Sequence, residues 1–220
     1  MLPYILGSLL VPLHLIVTIL LLKSEQNGLA KAAAFVAGLT TMRLVQGLVF
    51  GWVFVNNQAV ETGEGGKHGP FVAGLLVALG IFLLVTAYKY IVKVEDPDAP
   101  PPQWMATIDE FSPAKAFAIG MGLLLIGIKF WVFTLGALGT IAEAQLGWGG
   151  SAVAFLLFIL VVQSLLLGAL AARLFWPRQS IALLAQVSDL LNRYNRPIVI
   201  TISLIFGLMF LFQGLQSLLA

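Results

Sequence analysis

The stretch AAAFVAGLTTMRLVQGLVFGWVFV, residues 32–55, decides the fold of this chain. Crossing the hydrocarbon core of a bilayer takes roughly 20 predominantly apolar residues in a helix, and this stretch is long enough. Its only charged residue is Arg43. A cation at the bilayer centre costs about 2.5 to 3.5 kcal/mol on insertion scales, so such a residue indicates a functional site. The stretch therefore predicts a transmembrane helix that carries a buried cation.

Five further apolar runs of similar character accompany this stretch. They are Leu2 to Leu22, Phe71 to Val92, Ala116 to Ala142, Ala152 to Phe175 and Ile198 to Ala220. With Ala32 to Val55 they make six runs. The 220 residues are 60% hydrophobic and 10% charged, which leaves no room for a separate soluble domain. We expect an all-α integral membrane protein with six transmembrane helices.

The basic residues predict the orientation of these helices. Of the 12 Lys and Arg residues, Arg43 and Lys129 lie within spans, Lys67 lies on one side, and the remaining nine lie on the other. By the positive-inside rule the side with nine faces the cytoplasm. We therefore expect a multi-pass protein of the plasma (inner) membrane with both termini on the periplasmic or extracellular side.

An acidic, proline-rich segment, EDPDAPPP at residues 95–102, divides the chain into halves. We expect residues 95–112 to form an extended cytoplasmic linker. Residues 1–94 and 113–220 then form two three-helix repeats of one membrane domain. Halves with an odd number of spans enter the membrane from opposite sides, so the sequence predicts a 3+3 inverted repeat, the geometry of many secondary transporters.

Local signals mark two helix starts on the cytoplasmic side. Ser112 followed by Pro113 predicts an N-cap and a first-turn proline for the fourth span. Ser180 predicts the start of a short amphipathic helix between spans 5 and 6. Its apolar face would hold Ile181, Leu184, Val187, Leu191 and Tyr194. We expect this helix to lie on the membrane interface.

Four polar side chains fall near the middle of their runs, counted at about 1.5 Å per residue from the run ends. They are His14, Arg43, Lys129 and Gln163. They belong to spans 1, 2, 4 and 5, the equivalent pairs of the expected repeat, so we expect them to converge on one midplane site. The spans contain no Asp or Glu. The missing counter-charge predicts that the substrate brings an anion.

Neighbouring residues extend this candidate site. Thr18 follows His14 by one helical turn, and Thr40 and Gln46 flank Arg43 on one face. Proline kinks or breaks a helix, and broken helices build the substrate sites of many transporters. The predicted substrate-binding residues are Arg43, Lys129, His14, Gln163, Gln46, Thr18 and Thr40, and the predicted helix breaks are Pro12 and Gly127.

Each candidate also has a purely structural interpretation. Arg43 would then bind helix-end carbonyls of a neighbouring span, and the flexible stem of Lys129 would reach the membrane surface. His14 and Gln163 would hold helices together by hydrogen bonds.

The inventory of side chains disfavours an enzyme. Hydrolysis or group transfer within the membrane needs paired carboxylates, a metal set or an activated nucleophile, and the chain has no cysteine and no phosphate-binding GxxxxGK[ST] motif. We expect no enzymatic activity, no cofactor, no metal site and no nucleic-acid partner. The expected partners are membrane lipids, an anionic or amphiphilic substrate, and a second copy of the chain or envelope-assembly proteins.

Several segments together resemble the GAP family, the sulfolipid- and glycopeptidolipid-addressing branch of the lysine exporter (LysE) superfamily. The segments are LLLKS at residues 20–24, NGLA at 27–30, AF at 34–35, Trp104 with Ile108-Asp109, SPAKA at 112–116 and YNRPI at 194–198. The resemblance implies six spans from an inverted repeat and a role in moving amphiphiles or small solutes.

The match to the family pattern differs at two places. The proline pair of the family's first span appears as Pro12 with His14 in the second position. The Asn-Pro-Lys element of its fourth span appears as Gly127-Ile128-Lys129, which keeps only the lysine.

Three functions follow as hypotheses. The first is a LysE-like transporter or exporter of an anionic or zwitterionic solute or lipid, including glycolipid addressing to the cell surface, through a cationic midplane site. The second is a non-transporting scaffold subunit of a lipid or envelope assembly complex. The third is a cation or metal exporter.

Overall fold

The described residues of the computed structural model are 1–9, 11–56, 70–92 and 107–219. Within them the chain forms nine α-helices, one 3-10 turn at Ile108–Glu110 and no strand. The helices are α1 (Leu2–Leu9), α2 (Pro12–Lys23), α3 (Gly28–Asn56), α4 (Pro70–Val92), α5 (Pro113–Ile126), α6 (Ile128–Glu143), α7 (Gly147–Val162), α8 (Ser164–Phe175) and α9 (Pro177–Leu218). Lys67 and most of the expected linker lie outside the described residues.

The helices include several that are long and apolar enough to cross a membrane. Tyr4–Lys23, Gly28–Trp52 and Arg193–Leu218 each qualify, and α5 with α6 and α7 with α8 qualify as two bent spans. This set of apolar helices defines a multi-pass membrane protein. The described part of α4 contributes a shorter apolar helix. The count of six spans, the inverted repeat and the sidedness of the termini stay predictions.

Three apolar runs are interrupted near their middle. The first separates α1 from α2, where extended Val11 precedes Pro12, the first residue of α2. The second lies at Gly127, where α5 and α6 meet at a bend of 72°. The third lies at Gln163, where α7 and α8 meet at 56°. The interruption at Gln163 was not expected, because no Gly or Pro stands there.

The hydrophobic core has two parts, and the helix interruptions separate them. One part, the Tyr4 core, comprises buried side chains of α1, α4, α6, α7 and the last turns of α9, among them Tyr4, Phe158 and Phe210. The other, the Phe35 core, comprises side chains of α2, α3, α5, α8 and the first part of α9, together with Phe130 from the first turn of α6. Because Tyr4 stacks on Phe210 with ring centroids 5.4 Å apart, the first and last helices meet in the same core.

Glycines allow two helix pairs to approach closely. Gly38 on α3 and Gly120 on α5 each face the other helix's backbone, and an added Cβ at Gly120 would lie against the carbonyl oxygen of Phe35. Gly80 on α4 meets the backbone of α9 at Gly207 and Leu211 in the same way. Small residues at such contacts let backbones pack by van der Waals contact, which drives helix association in lipid.

Two basic residues link helix ends and turns by hydrogen bonds. Lys31, only 4% exposed, donates hydrogen bonds from Nζ to the hydroxyl of Ser24 and to the backbone carbonyl of Asp109, both at 2.8 Å. Arg196 donates to the carbonyls of Tyr90 and Ile91 near the end of α4. These contacts satisfy carbonyls that a helix end or turn would otherwise leave without a partner.

The expected interfacial helix between spans 5 and 6 is not separated from the last span by a break in the helix, and its place on a membrane surface stays a prediction. Its residues are part of α9, which runs without interruption from Pro177 to Leu218. Pro197 lies inside α9 and removes only its own backbone N–H donor, which does not end the helix. Leu184 is buried in the Phe35 core. On the apolar face of this segment, Leu184 and Val187 pack on the protein, whereas Tyr194 is 46% exposed. The N-cap at Ser112 is confirmed, since its hydroxyl accepts from the Lys115 N–H at 3.1 Å.

Candidate functional site

A small polar cavity lies where two of the interrupted spans meet the middle of α3. Its volume is about 10 Å³, about enough for one water molecule. The lining residues are Ser8, Leu9, Val11, His14, Leu15, Arg43, Val162, Gln163, Leu165 and Leu166. The first five belong to the break between α1 and α2, and the last four to the break between α7 and α8. Three predicted site residues, His14, Arg43 and Gln163, thus line one cavity.

Arg43 is the charged member of this cavity and is 2% exposed. Its Nη2 donates to the Ser8 hydroxyl at 3.1 Å. Its Nε and Nη1 have no hydrogen-bond partner among the residues that the structure describes. Guanidinium groups do not lose their charge in proteins. Arg43 is therefore a buried cation whose Nε and Nη1 can still donate hydrogen bonds.

The helix breaks around Arg43 present both kinds of helix end. The carbonyl ends of α1 and α7 lie at Leu9 and Val162 in the cavity lining, and carbonyl ends favour a nearby cation. The amino ends of α2 and α8 lie at the same two breaks, and amino ends favour an anion. An arginine with a bound anion therefore matches the electrostatics of this centre.

His14 and Thr18 occupy the first turns of α2. His14 is 4% exposed and packs against the ring of Phe130, with centroids 4.8 Å apart. The hydroxyl of Thr18 donates to the His14 backbone carbonyl at 2.8 Å. Because this hydroxyl bonds its own helix and does not line the cavity, Thr18 supports α2 and is not placed to bind a ligand there.

Gln163 connects the bend between α7 and α8 to α3. Its Nε2 donates to the Thr40 hydroxyl at 2.9 Å, and that hydroxyl donates to the Val36 carbonyl at 2.8 Å. Thr40 stands one turn before Arg43 and reaches the cavity only through Gln163. The pair fixes the bend against the helix that carries the arginine.

Of the two other predicted residues, Gln46 does not line the cavity, and the side chain of Lys129 is not described. Gln46 is 2% exposed, and both polar atoms of its side chain have no partner among the described residues. Lys129 is the second residue of α6, directly after the break at Gly127, but its side chain lies outside the described part of the chain. Trp131, two residues further on, donates from Nε1 to the Leu124 carbonyl and so supports this break.

A larger apolar groove adjoins the polar cavity. It has a volume of about 550 Å³ and lies between the break of α1 and α2, the start of α8 and the middle of α9. Leu9, Val11, Leu15 and Leu165 line both spaces. A second apolar pocket, about 250 Å³, lies between α3, α6 and α7 and shares no lining residue with the polar cavity.

Sequence reasoning missed three parts of this centre. Ser8, the hydrogen-bond partner of Arg43, resembles any other serine in an apolar run, and no signal in the sequence singles it out. The break at Gln163 has no proline or glycine beside it that would have predicted it from the sequence. The groove depends on how α8 and α9 cross, which no local pattern encodes.

The helices and this buried cationic centre define an all-helical, multi-pass membrane protein with no separate soluble domain among the described residues. The family model described as "Sap, sulfolipid-1-addressing protein" matches residues 1–216. The chain belongs to this family, whose role is in sulfolipid addressing, as the resemblance to its branch predicted. No curated protein and no solved structure is significantly similar to the chain. Membership of the wider LysE superfamily stays a prediction.

Proposed function

We propose that this protein is a transporter or exporter of an anionic amphiphile and that Arg43 binds its head group at the middle of the membrane. The observation that carries the proposal is the guanidinium of Arg43, buried at 2% exposure with Nε and Nη1 unpartnered among the described residues. A buried charge without a partner is costly. An anionic head group supplies the partner and makes the arrangement favourable.

The surroundings of Arg43 fit a sulfate or phosphate ester. The guanidinium fork binds two oxygens of such a group at once, while the amino ends of α2 and α8 favour the same negative charge. Gln163 and His14 line the cavity and offer further polar contacts. The family's role in sulfolipid addressing fits a sulfated glycolipid as the substrate.

The broken helices indicate how a substrate would enter the site. A cavity of about 10 Å³ is too small for a head group, so the helix halves on either side of Pro12 and Gln163 must separate before a substrate enters. Helix breaks are sites where such hinge motion is absorbed at little cost. In an inverted repeat, the same motion exposes the site alternately to the two sides. We infer a 3+3 repeat with both termini on the non-cytoplasmic side of the plasma membrane, driven by a gradient or a partner.

The scaffold function is the second candidate, and the tightness of the cavity favours it. A centre that admits about one water molecule is what a non-transporting subunit would have. In that case a water molecule between the helix ends completes the bonding of Arg43 and no lipid enters. The cation or metal exporter has less support, because the described residues of the cavity lining include Arg43 and no carboxylate.

The test is binding of a sulfated diacyl glycolipid to purified protein in lipid nanodiscs, measured against the same lipid without the sulfate. Hydrogen bonds to charged groups contribute about 1.5 to 3 kcal/mol, so Arg43→Gln should weaken binding about 10-fold to 100-fold. Lys115→Gln is the matched control, since it removes one positive charge from the exposed start of α5. Its affinity should match that of the unmodified protein.

Transport is then measured with the same variants in vesicles. Sulfate-dependent binding together with translocation, both lost in Arg43→Gln, supports the transporter. Sulfate-dependent binding without translocation refutes transport but leaves the head-group site, whereas the scaffold function predicts neither translocation nor binding that depends on the sulfate. Equal binding of both lipids by the unmodified protein and by Arg43→Gln would refute the assignment of the site.

A further inference from the structure

The apolar groove next to the polar cavity has a shape and position that a head-group site alone does not explain. Its volume of about 550 Å³ falls in the range of small-molecule sites, roughly 300 to 1,000 Å³. Its lining is almost entirely aliphatic, with Tyr194 and Thr201 as the hydroxyl-bearing members. It begins at the same break of α1 and α2 that holds Ser8 beside Arg43.

The groove is also open toward the lipid. Leu165, Leu190 and Tyr194 line it and are 44%, 58% and 46% exposed. Leu165 belongs to a candidate span, so its exposed side faces acyl chains in a membrane, whereas Leu190 lies just before the span that begins at Arg193. At its far end Tyr194 packs under the guanidinium of Arg193, with 5.9 Å from Cζ to the ring centroid. Tyrosine and arginine are typical of the membrane–water boundary. The groove therefore extends from the start of the last candidate span to the residues that also line the cavity of Arg43.

We propose that this groove holds an acyl chain of the same anionic lipid whose head group binds Arg43, and that the lipid enters from the bilayer between α8 and α9. The proposal rests on the proposed function. Two observations point to this occupant. The polar cavity and the groove lie next to each other, with Leu9, Val11, Leu15 and Leu165 in both linings, so the separation of the helix halves that admits a head group also opens a path between them. The unpartnered donors of Arg43 select a molecule with a negative end.

Retention of the head group at mid-membrane requires such a groove. A diacyl lipid cannot bring its head group to Arg43 unless its chains find an apolar environment beside the site. The groove provides that environment continuously with the bilayer, so a chain passes from lipid to protein without meeting water. The second apolar pocket, between α3, α6 and α7, shares no wall with the polar cavity and is not proposed as a chain site.

The experiment uses the full chain in phosphatidylcholine nanodiscs and a sulfated diacyl glycolipid that carries a diazirine in one acyl chain. After photolysis, the labelled residues are identified by peptide mass spectrometry. Two matched variants replace a small hydroxyl residue by tryptophan. Thr201→Trp fills the groove, and Ser151→Trp fills the second pocket. Circular dichroism and thermal unfolding check that both variants fold.

We expect the label at Leu165 and along residues 190–202, and we expect it to fall about 10-fold in Thr201→Trp but not in Ser151→Trp. The same loss in Arg43→Gln supports a single molecule that occupies cavity and groove. If Thr201→Trp does not fold, competition takes its place: the sulfated sugar without acyl chains should compete about 10-fold more weakly than the intact lipid.

Two outcomes overturn the proposal and are distinguishable. In the first, the label is spread evenly over the lipid-facing helices or concentrated in the second pocket, while binding still depends on sulfate and on Arg43. This result refutes the groove as the acyl-chain site and leaves the head-group site intact. Label and binding that depend on neither sulfate nor Arg43 refute the proposed function and this inference with it.

Discussion

Replacing Arg43 by methionine should leave the ligand-free protein as stable as before or make it more stable. Methionine has a similar length and no charge. An arginine at the bilayer centre costs about 2.5 to 3.5 kcal/mol, and the one hydrogen bond that Arg43 makes to a described residue, to Ser8, returns about 1.5 to 3 kcal/mol. The difference lies between about −0.5 and 2 kcal/mol in favour of the variant, and Ser8 can bond its own helix instead, which limits any loss.

The matched control is Lys31→Met, which removes a second buried cation. Lys31 is 4% exposed, like Arg43 at 2%, but its ammonium group has two hydrogen bonds of 2.8 Å to Ser24 and Asp109. Its loss leaves both acceptors without a donor, so this variant should lose about 2 kcal/mol or more of unfolding free energy. Two similar substitutions thus have effects of opposite sign or of clearly different size.

The assay is unfolding in lipid nanodiscs or mild detergent, followed by tryptophan fluorescence, with and without the sulfated glycolipid. Arg43→Met should unfold at the same or a higher temperature than the unmodified protein and should gain nothing from the lipid. Lys31→Met should unfold at a lower temperature and keep its gain from the lipid. If Arg43→Met loses as much stability as Lys31→Met, Arg43 is a structural residue and the reasoning is refuted.

Two further predictions concern the helices around the site. Gly120→Ala should destabilise the protein by about 1 to 3 kcal/mol, because the added Cβ lies against the Phe35 carbonyl. Gly122→Ala on the same helix is the control: its Cβ meets no atom within 4 Å, so it should cost nothing or add stability. Equal effects in thermal unfolding would contradict the close contact of α3 and α5. Thr40→Val and Gln163→Leu should each destabilise the protein, and their double-mutant cycle should give a coupling energy of about 1 kcal/mol; a coupling near zero would show that the bond between α3 and the bend contributes no stability.

Much of the local structure could be predicted from the sequence. Apolar length predicted membrane helices, and Ser112 with Pro113 predicted a helix start that the structure confirms. Breaks occur close to Pro12, which lacks a backbone donor, and at Gly127, where an added Cβ would lie against the Leu123 carbonyl and the Phe130 ring. These features depend on residues within a few positions of one another, and a linear pattern is enough to encode them.

Counting residues along each apolar run also predicted part of the site. It placed His14, Arg43 and Gln163 at a similar level of the membrane, and all three line one cavity. Helical spacing then added Thr18, which bonds its own helix, and Gln46, which lies outside the cavity lining. Depth fixes the height of a residue along a helix but not the direction of its side chain, since that direction depends on how the helices rotate and bend against one another.

The sequence by itself determined that this chain is a bundle of apolar helices with a cation at Arg43 and no carboxylate in its spans. Only the tertiary structure decided that Ser8 is the arginine's partner, that α7 and α8 bend at Gln163, and that an apolar groove adjoins the cavity. The physical reason is that membrane helices associate through packing and a few hydrogen bonds. Those contacts join residues far apart in the chain, and their geometry exists only after the helices have packed.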